Sequence, residues 1–187
     1  MSLEFLNERR SVPSRQLGEP GPDASQLEAI LGAAIRVPDH GRLTPYRLLT
    51  VGGHARRRLG MQIADIRARN EPDAPAAALA KDRERFNAAP VIVVVIARTT
   101  AGHKVPLQEQ LLSAGCVAYN LLLAAQALGF GAQWLTGWAA YDADVGLMLG
   151  LASNESVVGF VHVGSVHEPA SEHARARLAE VLGEWNG

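Results

Sequence analysis

Residues 91–96 read Val-Ile-Val-Val-Val-Ile, and residues 113–129 read Ser-Ala-Gly-Cys-Val-Ala-Tyr-Asn-Leu-Leu-Leu-Ala-Ala-Gln-Ala-Leu-Gly. The first stretch is a continuous β-branched run, which predicts a central strand that is buried on both faces. The second belongs to the longest predicted helix, Pro106 to Leu128. Its part from Ala114 to Leu128 is apolar almost all round, so we expect this helix to be buried on most sides. Gly129 is expected to end it.

Further elements are predicted on both sides of this pair. Asp23 offers an N-cap and Gln26 a capping-box partner for a helix that Pro38 stops. Other helices are predicted over 2–8, 54–70, 76–87 and after Asp142, and other strands over 46–51, 132–135 and 157–163. Because the strands do not alternate regularly with helices, an α+β sheet is favoured over a doubly wound one. In the polar tail, 168–187, the expected anchors are Leu178, Val181, Leu182 and Trp185.

Composition excludes several classes of protein. The chain has 187 residues, 18 basic against 19 acidic side chains, and one cysteine. This length suits a single domain over 1–187, and we see no repeat or long linker. The near-zero net charge offers no electrostatic case for nucleic acid or an anionic membrane. A lone Cys excludes an internal disulfide framework and a cysteine zinc site.

The N-terminal residues, the apolar runs and the single cysteine indicate where in the cell the protein is found. The N-terminal residues 1–10 are mixed and charged, which does not resemble a signal peptide. The apolar runs look too short or too interrupted to span a bilayer. A reducing cytoplasm fits the single cysteine, so we expect a cytoplasmic protein with no membrane partner.

Two short segments carry groups that suit an anionic or polar ligand. Arg9-Arg10-Ser11 follows the first helix, and its guanidinium groups and hydroxyl can clamp a phosphate. The alternative is a solvated helix end, where cations are favoured anyway. His40 lies in a loop bounded by Pro38 and Pro45, where it can donate to a ring edge or a phosphate. The alternative is a turn histidine that bonds its own backbone.

The small residues Ser113-Ala114-Gly115-Cys116 lie in the middle of the long helix. Glycine there costs about 1 kcal/mol against alanine, which indicates close approach by another helix, a partner subunit or a planar ligand. Cys116 is interpreted as a small buried hydrophobic residue. No metal-ligand spacing is visible among His162, His167 and His173.

Residues 134–138, Trp-Leu-Thr-Gly-Trp, end a predicted strand. Backbone amides and the Thr136 hydroxyl can satisfy a heteroaromatic edge, although the aromatic side chains can equally close the core. Gly129-Phe130-Gly131 ends a helix instead of following a strand and lacks the third glycine, so it is not a dinucleotide-binding fingerprint.

Taken in order along the chain, these pieces resemble the nitroreductase family, the FMN-dependent NAD(P)H oxidoreductases, over nearly the whole length. The resemblance rests on four segments. The first is 5–11, and the second is 33–40 with 45–47. The third is 113–115 and 120–129 with Gly131, Trp134, Thr136 and Gly137, and the fourth is Gly164, Glu168-Pro169, Arg175 and 178–182. Pro38-Asp39-His40 is similar to the version in a small, minimal branch. Larger members often have Ser and Asn in this region, so the substrate pocket need not match theirs.

The resemblance implies a fold and a cofactor site. The implied fold is α+β, with a central, mainly antiparallel sheet wrapped by helices, in an interlocked homodimer whose FMN sites are built from both chains. The implied flavin contacts are Arg9, Arg10, Ser11, Arg36, Pro38, His40, Trp134, Leu135, Thr136, Gly137 and Arg175. Arg177 is an alternative to Arg175 at the phosphate.

The resemblance also implies a reaction. The expected enzyme takes hydride from NADH or NADPH onto FMN and reduces an electron-poor acceptor, such as a nitroaromatic or a quinone, by a ping-pong mechanism. The flavin carries the hydride, so no protein nucleophile is expected. The alternatives are a flavin-binding or storage protein without useful turnover, and an enzyme of the same fold with different flavin chemistry. The choice between NADH and NADPH and the physiological acceptor stay open.

Overall fold

A five-stranded sheet forms the centre of the computed structural model, which describes residues 2–187. Its strands are β1 (Leu17–Gly18), β2 (Tyr46–Gly52), β3 (Val91–Arg98), β4 (Gly131–Leu135) and β5 (Glu155–Val166). All the strand pairs that join them, β1 with β5, β2 with β3, β3 with β5 and β4 with β5, are antiparallel. The expected antiparallel α+β sheet is confirmed.

Helices cover both faces of this sheet. They are α1 (Leu3–Asn7), α2 (Ala24–Ala34), α3 (His54–Asn70), α4 (Ala76–Arg85), α5 (Leu107–Ala127), α6 (Ala143–Met148) and α7 (Leu178–Val181). The predicted capping box begins α2, where the carboxylate of Asp23 accepts from the Gln26 amide and the Gln26 side chain accepts from the Asp23 amide. Short 3₁₀ turns span Ser14–Gln16, His40–Arg42 and Trp138–Ala140.

Strand β3 lies between β2 and β5 and is buried on both faces, as its sequence predicts. Val93 and Val95 point into a core that α2 and α5 complete. Ile92, Val94 and Ile96 point into a second core that α3, α6 and Phe86 complete. The alternation of side chains along one strand thus feeds two cores.

Helix α5 is less buried than its composition predicts. One side packs on the sheet, with Val117 and Leu121 fully enclosed. The opposite side leaves Leu111, Leu112 and Tyr119 exposed. Cys116 is exposed too, so its interpretation as a buried hydrophobic residue was wrong for the single chain. A nearly continuous apolar surface therefore buries only the face that meets the sheet and leaves an apolar stripe in solvent.

The C-terminal tail also departs from expectation. Its predicted anchors are exposed, with exposed fractions of 69% for Leu178, 70% for Val181, 66% for Leu182 and 90% for Trp185. They anchor nothing within their own chain. The tail contacts the body of the protein earlier, where Ala170 packs against Val12 and Leu17.

Within residues 2–187, one helix, α5, is long and apolar enough to cross a membrane by length and composition. The expectation that the apolar runs are too short or too interrupted to span a bilayer stays a prediction, because length and composition alone are weak evidence for a membrane helix. Half of its apolar window is buried within the fold, and core helices of soluble proteins meet the same criterion.

Candidate functional site

A cavity of about 400 Å³ opens between α4 and the end of β4. Helix α4 contributes one face to it, through Lys81, Glu84 and Arg85 at helical spacing, with Ala88 just beyond. Strand β4 contributes Gln133 and Leu135. The N-terminal segment closes it with Pro13, Ser14 and Arg15. Three cationic side chains against one carboxylate make the lining net positive, which suits an electron-rich or anionic ligand edge.

The strand end predicted to meet the flavin lies beside this cavity. Gly137 has a φ of +68°, a conformation that L side chains rarely adopt. A Cβ atom at this position would come within 2.8 Å of Arg85 Nη1. Glycine therefore serves both the backbone turn and the approach of the Arg85 guanidinium to the strand end.

Trp134, another predicted contact, lies across the neighbouring strand. Its indole Nε1 donates to the carbonyl of Val158 at 3.1 Å. A Cβ atom on Gly159 would collide with this ring, at 2.0 Å from Nε1. The indole is therefore held against β5 by a hydrogen bond and by the absence of a side chain beneath it.

The predicted phosphate segment runs alongside β4. The Val12 amide donates to the Ala132 carbonyl at 3.1 Å, and the Ser14 amide donates to Gln133 Oε1 at 2.6 Å. Just before them, Arg9 Nη1 donates to Ser11 Oγ at 3.3 Å. Arg10 lines a separate cavity of about 320 Å³ together with Gly131 and Ala132. The Arg9-Arg10-Ser11 segment therefore lies at the start of β4, whereas residues 134–137 lie at its end.

Arg10 and Arg175 meet through a shared carboxylate. Glu172 forms an ion pair with Arg10 and a second, at 3.6 Å, with Arg175 Nε. Arg177 turns elsewhere and pairs with Glu180 at 2.8 Å, in the capping box of α7. The structure therefore places Arg175, and not Arg177, next to the N-terminal arginines.

The second predicted segment lies at a different place, along the N-terminal half and the middle of α5. Ser113 Oγ donates to the Pro38 carbonyl at 2.8 Å, and Asn120 Nδ2 donates to the Arg36 carbonyl at 3.1 Å. His40 Nδ1 lies 2.6 Å from Glu109 Oε2, so this histidine pairs with a carboxylate and not with its own backbone. Its side chain is 65% exposed.

Within one chain the two groups are separated along α5. Its C-terminal half holds the N-terminal segment, since Gln126 Nε2 donates to the Phe5 carbonyl at 2.9 Å. Residues 113 and 126 are 13 positions apart, which is about 20 Å along a helix. The structure therefore brings Arg10 together with Arg175 and places Trp134–Gly137 at the other end of β4. Pro38 and His40 form a separate cluster on the N-terminal half of α5, and Arg36 lies beside Asn120, between that cluster and the C-terminal end of the helix.

A buried histidine lies behind the cavity wall. His162 is fully buried, and neither ring nitrogen has a hydrogen-bond partner among the described residues. It pairs across the sheet with Gln133, which lines the cavity, and its ring packs 5.8 Å from that of Phe86. Burial first, and then the nearby Arg85 charge, lower the pKa of His162 to about 4. The imidazole is therefore neutral near pH 7.

Sequence reasoning missed the contribution of α4. The sequence predicts a helix over 76–87 and a strand over 132–135, but it assigns no site role to Lys81, Glu84, Arg85 or Gln133. The spacing of three charged residues along one side of a short helix was the available signal. Nothing in the linear sequence tells which element that side faces. No group of three or more His, Cys, Asp or Glu side chains suited to a metal ion occurs within residues 2–187.

Comparison with known proteins identifies the family of the chain. The sequence model of the nitroreductase family matches residues 6–165. The Escherichia coli K12 protein named "Putative NAD(P)H nitroreductase YdjA" is 34% identical over 172 residues, which cover 91% of each chain. The chain belongs to the nitroreductase family.

Two solved structures have the same fold. The nitroreductase-like family protein from Bacillus cereus superimposes with a TM-score of 0.83 at 22% identity, covering 100% of this chain and 97% of that one. The FMN and NADPH-dependent nitroreductase NfnB from Sphigopyxis sp. strain HMH superimposes with a TM-score of 0.77 at 22% identity, covering 100% of both. The predicted nitroreductase-like fold is confirmed.

Proposed function

We propose that this protein is an FMN-dependent oxidoreductase that uses NAD(P)H to reduce an electron-poor acceptor, such as a nitroaromatic or a quinone, in ping-pong fashion. The observation that carries the proposal is the net-positive cavity beside the glycine-ended strand β4, whose other end lies beside Arg10. Family membership and the FMN and NADPH in the name of one structural neighbour support it.

The residues present fit FMN. A flavin needs hydrogen bonds along the edge of its ring system, an apolar or flat surface against one face, and cations for its phosphate. The Thr136–Gly137 backbone and Arg85 offer the first, Leu135 offers part of the second, and Arg9, Arg10 and Arg175 offer the third. A volume of about 400 Å³ suits a large part of such a molecule.

At the phosphate end, Glu172 occupies the two arginines that we assign to it. A dianionic phosphate carries more charge than one carboxylate, so it competes well for Arg10 and Arg175. We expect Glu172 to move aside when the phosphate binds. Arg177 stays with Glu180, outside this cluster.

We further propose a homodimer whose cofactor sites use both chains. The exposed stripe on α5 is apolar, and the space around Gly115 is open within the single chain. Next to it, a groove of about 730 Å³ is lined by residues that include Leu111, Tyr141 and Leu147. Exposed apolar surface of this extent is typical of a protein interface.

The dimer also accounts for the two separate clusters. If two copies pack antiparallel through the α5 stripe, the Pro38–His40 loop of one copy approaches the strand end of the other. Each site then receives its arginines and strand end from one chain and Arg36, Pro38 and His40 from the second. The exposed tail, with Trp185 at its end, is free to extend over the partner as the interlocked arrangement requires.

When bound, FMN supplies the hydride chemistry of the reaction. The chain itself needs only to hold the ring, to leave one face open for NAD(P)H and then the acceptor, and to supply charge at its edges. We therefore propose no protein residue as a nucleophile. We take residues 1–187 as one domain, and the lone cysteine suits a cytoplasmic protein.

The test is the absorption spectrum of the purified protein, with identification of the released cofactor, followed by anaerobic addition of NADH or NADPH. The proposal predicts bound FMN that is bleached by a nicotinamide cofactor and reoxidised by a quinone. Bound FMN that is never bleached would indicate a storage protein. A protein that binds no FMN would overturn the proposal.

A further inference from the structure

Asp82 is a buried carboxylate that the proposed reaction does not use. It lies on α4, is 3% exposed, and belongs to a small group of buried polar side chains in the described part of the chain. Burying a carboxylate is costly unless partners satisfy it. A specific hydrogen-bonded network surrounds this one.

Two side chains from different elements meet on one oxygen of Asp82. Trp138 Nε1 donates to Oδ2 at 3.2 Å, and Arg67 Nη1 from α3 donates to the same oxygen at 3.1 Å. The guanidinium carbon of Arg67 lies 5.7 Å from the centre of the Trp138 ring, within range of a cation–π contact. Hydrogen bonds to Asp82, then to Glu71, raise the pKa of Arg67.

The hydrogen-bonded network around Asp82 links two walls of the cavity. Asp82 stands on α4 between the cavity residues Lys81 and Glu84, but it points inward while they line the cavity. Trp138 directly follows Gly137, the turn residue that Arg85 approaches. One hydrogen bond therefore ties the helix that forms one cavity wall to the strand end that forms another.

Arg67 adds rigidity without adding charge to the cavity. Its guanidinium balances the Asp82 carboxylate, so the negative charge is neutralised locally. It also stacks near the indole and reaches Glu71 with Nε at 3.1 Å. Three elements, α3, α4 and the 3₁₀ turn at Trp138–Ala140, are thus joined at one point.

We propose that Asp82 and Trp138 are positioning residues that set the spacing between α4 and the Leu135–Gly137 strand end, and thereby the placement of the flavin ring edge. This inference rests on the proposed function, because it assumes that the cavity holds FMN. It goes beyond that function by naming residues that touch no ligand and still govern how the ligand is held.

A purely structural role predicts a different result from a positioning role. A structural residue changes the free energy of unfolding but leaves the folded site as it was. A positioning residue changes the affinity and the asymmetric environment of the flavin in protein that is still folded. Visible circular dichroism of bound FMN reports that environment directly.

The experiment compares four variants. Trp138→Phe removes the indole N–H and keeps an aromatic ring. Asp82→Asn keeps an oxygen acceptor for the indole and loses the charge. Glu71→Gln is the matched control, since it alters the exposed partner of Arg67 and leaves the Asp82–Trp138 bond intact. Ile30→Val lowers stability in the first core, which includes none of the network residues.

FMN is titrated into apoprotein of each variant, and the visible circular dichroism and thermal unfolding are recorded. We expect Trp138→Phe to raise the FMN dissociation constant about tenfold, the scale of one hydrogen bond to a charged group, and to change the dichroism spectrum. Asp82→Asn should do so to a smaller extent. Both controls should keep the wild-type constant and spectrum.

A folded Trp138→Phe protein with wild-type affinity and dichroism would overturn the positioning role while leaving the proposed function intact. If Trp138→Phe does not fold, Asp82→Asn decides in the same way. A change of equal size in Ile30→Val would also overturn it, because lost stability would then explain the effect. Failure of the wild-type protein to bind FMN would remove the proposed function and this inference together.

Discussion

His162 provides a pH-dependent test of how the sheet is packed. The residue is fully buried with both ring nitrogens unpaired among the described residues, and its pKa is lowered from 6.5 to about 4. Arg85 is the neighbouring charge that lowers it further, after burial. Protonation in the native state would place a cation in the core without an acceptor, so the native state resists it.

The direction in which pH changes the free energy of unfolding follows from proton binding. In the unfolded chain the imidazole takes up a proton as the pH falls through 6.5, whereas in the native protein it does so only near pH 4. Between these values the unfolded state binds more protons, so the free energy of unfolding falls as the pH falls. The full effect is about 3 kcal/mol, and about 2 kcal/mol of it should appear between pH 7 and pH 5.

The perturbation is His162→Phe, which keeps a ring of similar shape beside Phe86 and cannot be protonated. Urea unfolding followed by tryptophan fluorescence is measured for both proteins at pH 7, 6 and 5, at one protein concentration and one flavin content. We expect the stability of the variant relative to wild type to rise by about 2 kcal/mol on acidification from pH 7 to pH 5.

Comparing the two proteins removes effects that they share. Glu155, for example, has its pKa lowered to about 2, chiefly by hydrogen bonds from Arg47. It therefore also weakens the fold in acid, but mainly below pH 4.5 and equally in both proteins. A stability difference between variant and wild type that stays constant from pH 7 to pH 5 would refute the buried, neutral state of His162. His162→Leu serves as the second variant if the phenylalanine does not fit.

Three further predictions concern the proposed cofactor site and dimer. Arg10→Ala should weaken FMN binding at least about tenfold, since a charge-assisted hydrogen bond contributes about 1.5–3 kcal/mol; unchanged affinity in a titration of apoprotein would exclude Arg10 from the phosphate site. Gly115→Leu should disrupt the dimer and the flavin content together, because overpacking a close contact costs about 1–3 kcal/mol; normal light scattering with normal flavin content would show that nothing approaches this residue. His40→Ala should raise the FMN dissociation constant, while the flavin-saturated kcat for a quinone stays within about tenfold of wild type. Removing an acid–base residue costs about 10²–10⁴-fold in rate, so a hundredfold loss of kcat would instead make His40 an acid–base residue.

Much of the fold follows from local patterns. The β-branched run at 91–96 predicts a central strand, because such a run is typical of a strand buried on both faces. The structure confirms that β3 is buried on both faces. The capping residues Asp23 and Asp142 begin helices where expected, because a side chain that satisfies free amides acts within one turn. The motifs of the family also lie in the expected order along the chain.

Predictions of burial from apolar residues were less reliable, because burial needs a second surface to cover them. The apolar circumference of α5 predicted burial on most sides, but the sheet covers only one side of the helix. The apolar residues of the tail predicted anchors, but no surface within the chain receives them. Hydrophobicity indicates that a residue favours burial and carries no information on whether its own chain or another supplies the cover.

The sequence by itself determined most of the element types and the family, because each depends on neighbours within a few residues or on a motif read in order. It also predicts the segments that approach a cofactor. Only the tertiary structure decided which of those segments meet. It joined Arg10 to Arg175 through Glu172, brought α4 and its Arg85 to the strand end at Gly137, and left His40 on the other half of α5. It also tied Asp82 to Trp138 across 56 positions of sequence. Such pairings depend on how helices and strands pack in three dimensions, and residue spacing along the chain does not encode that packing.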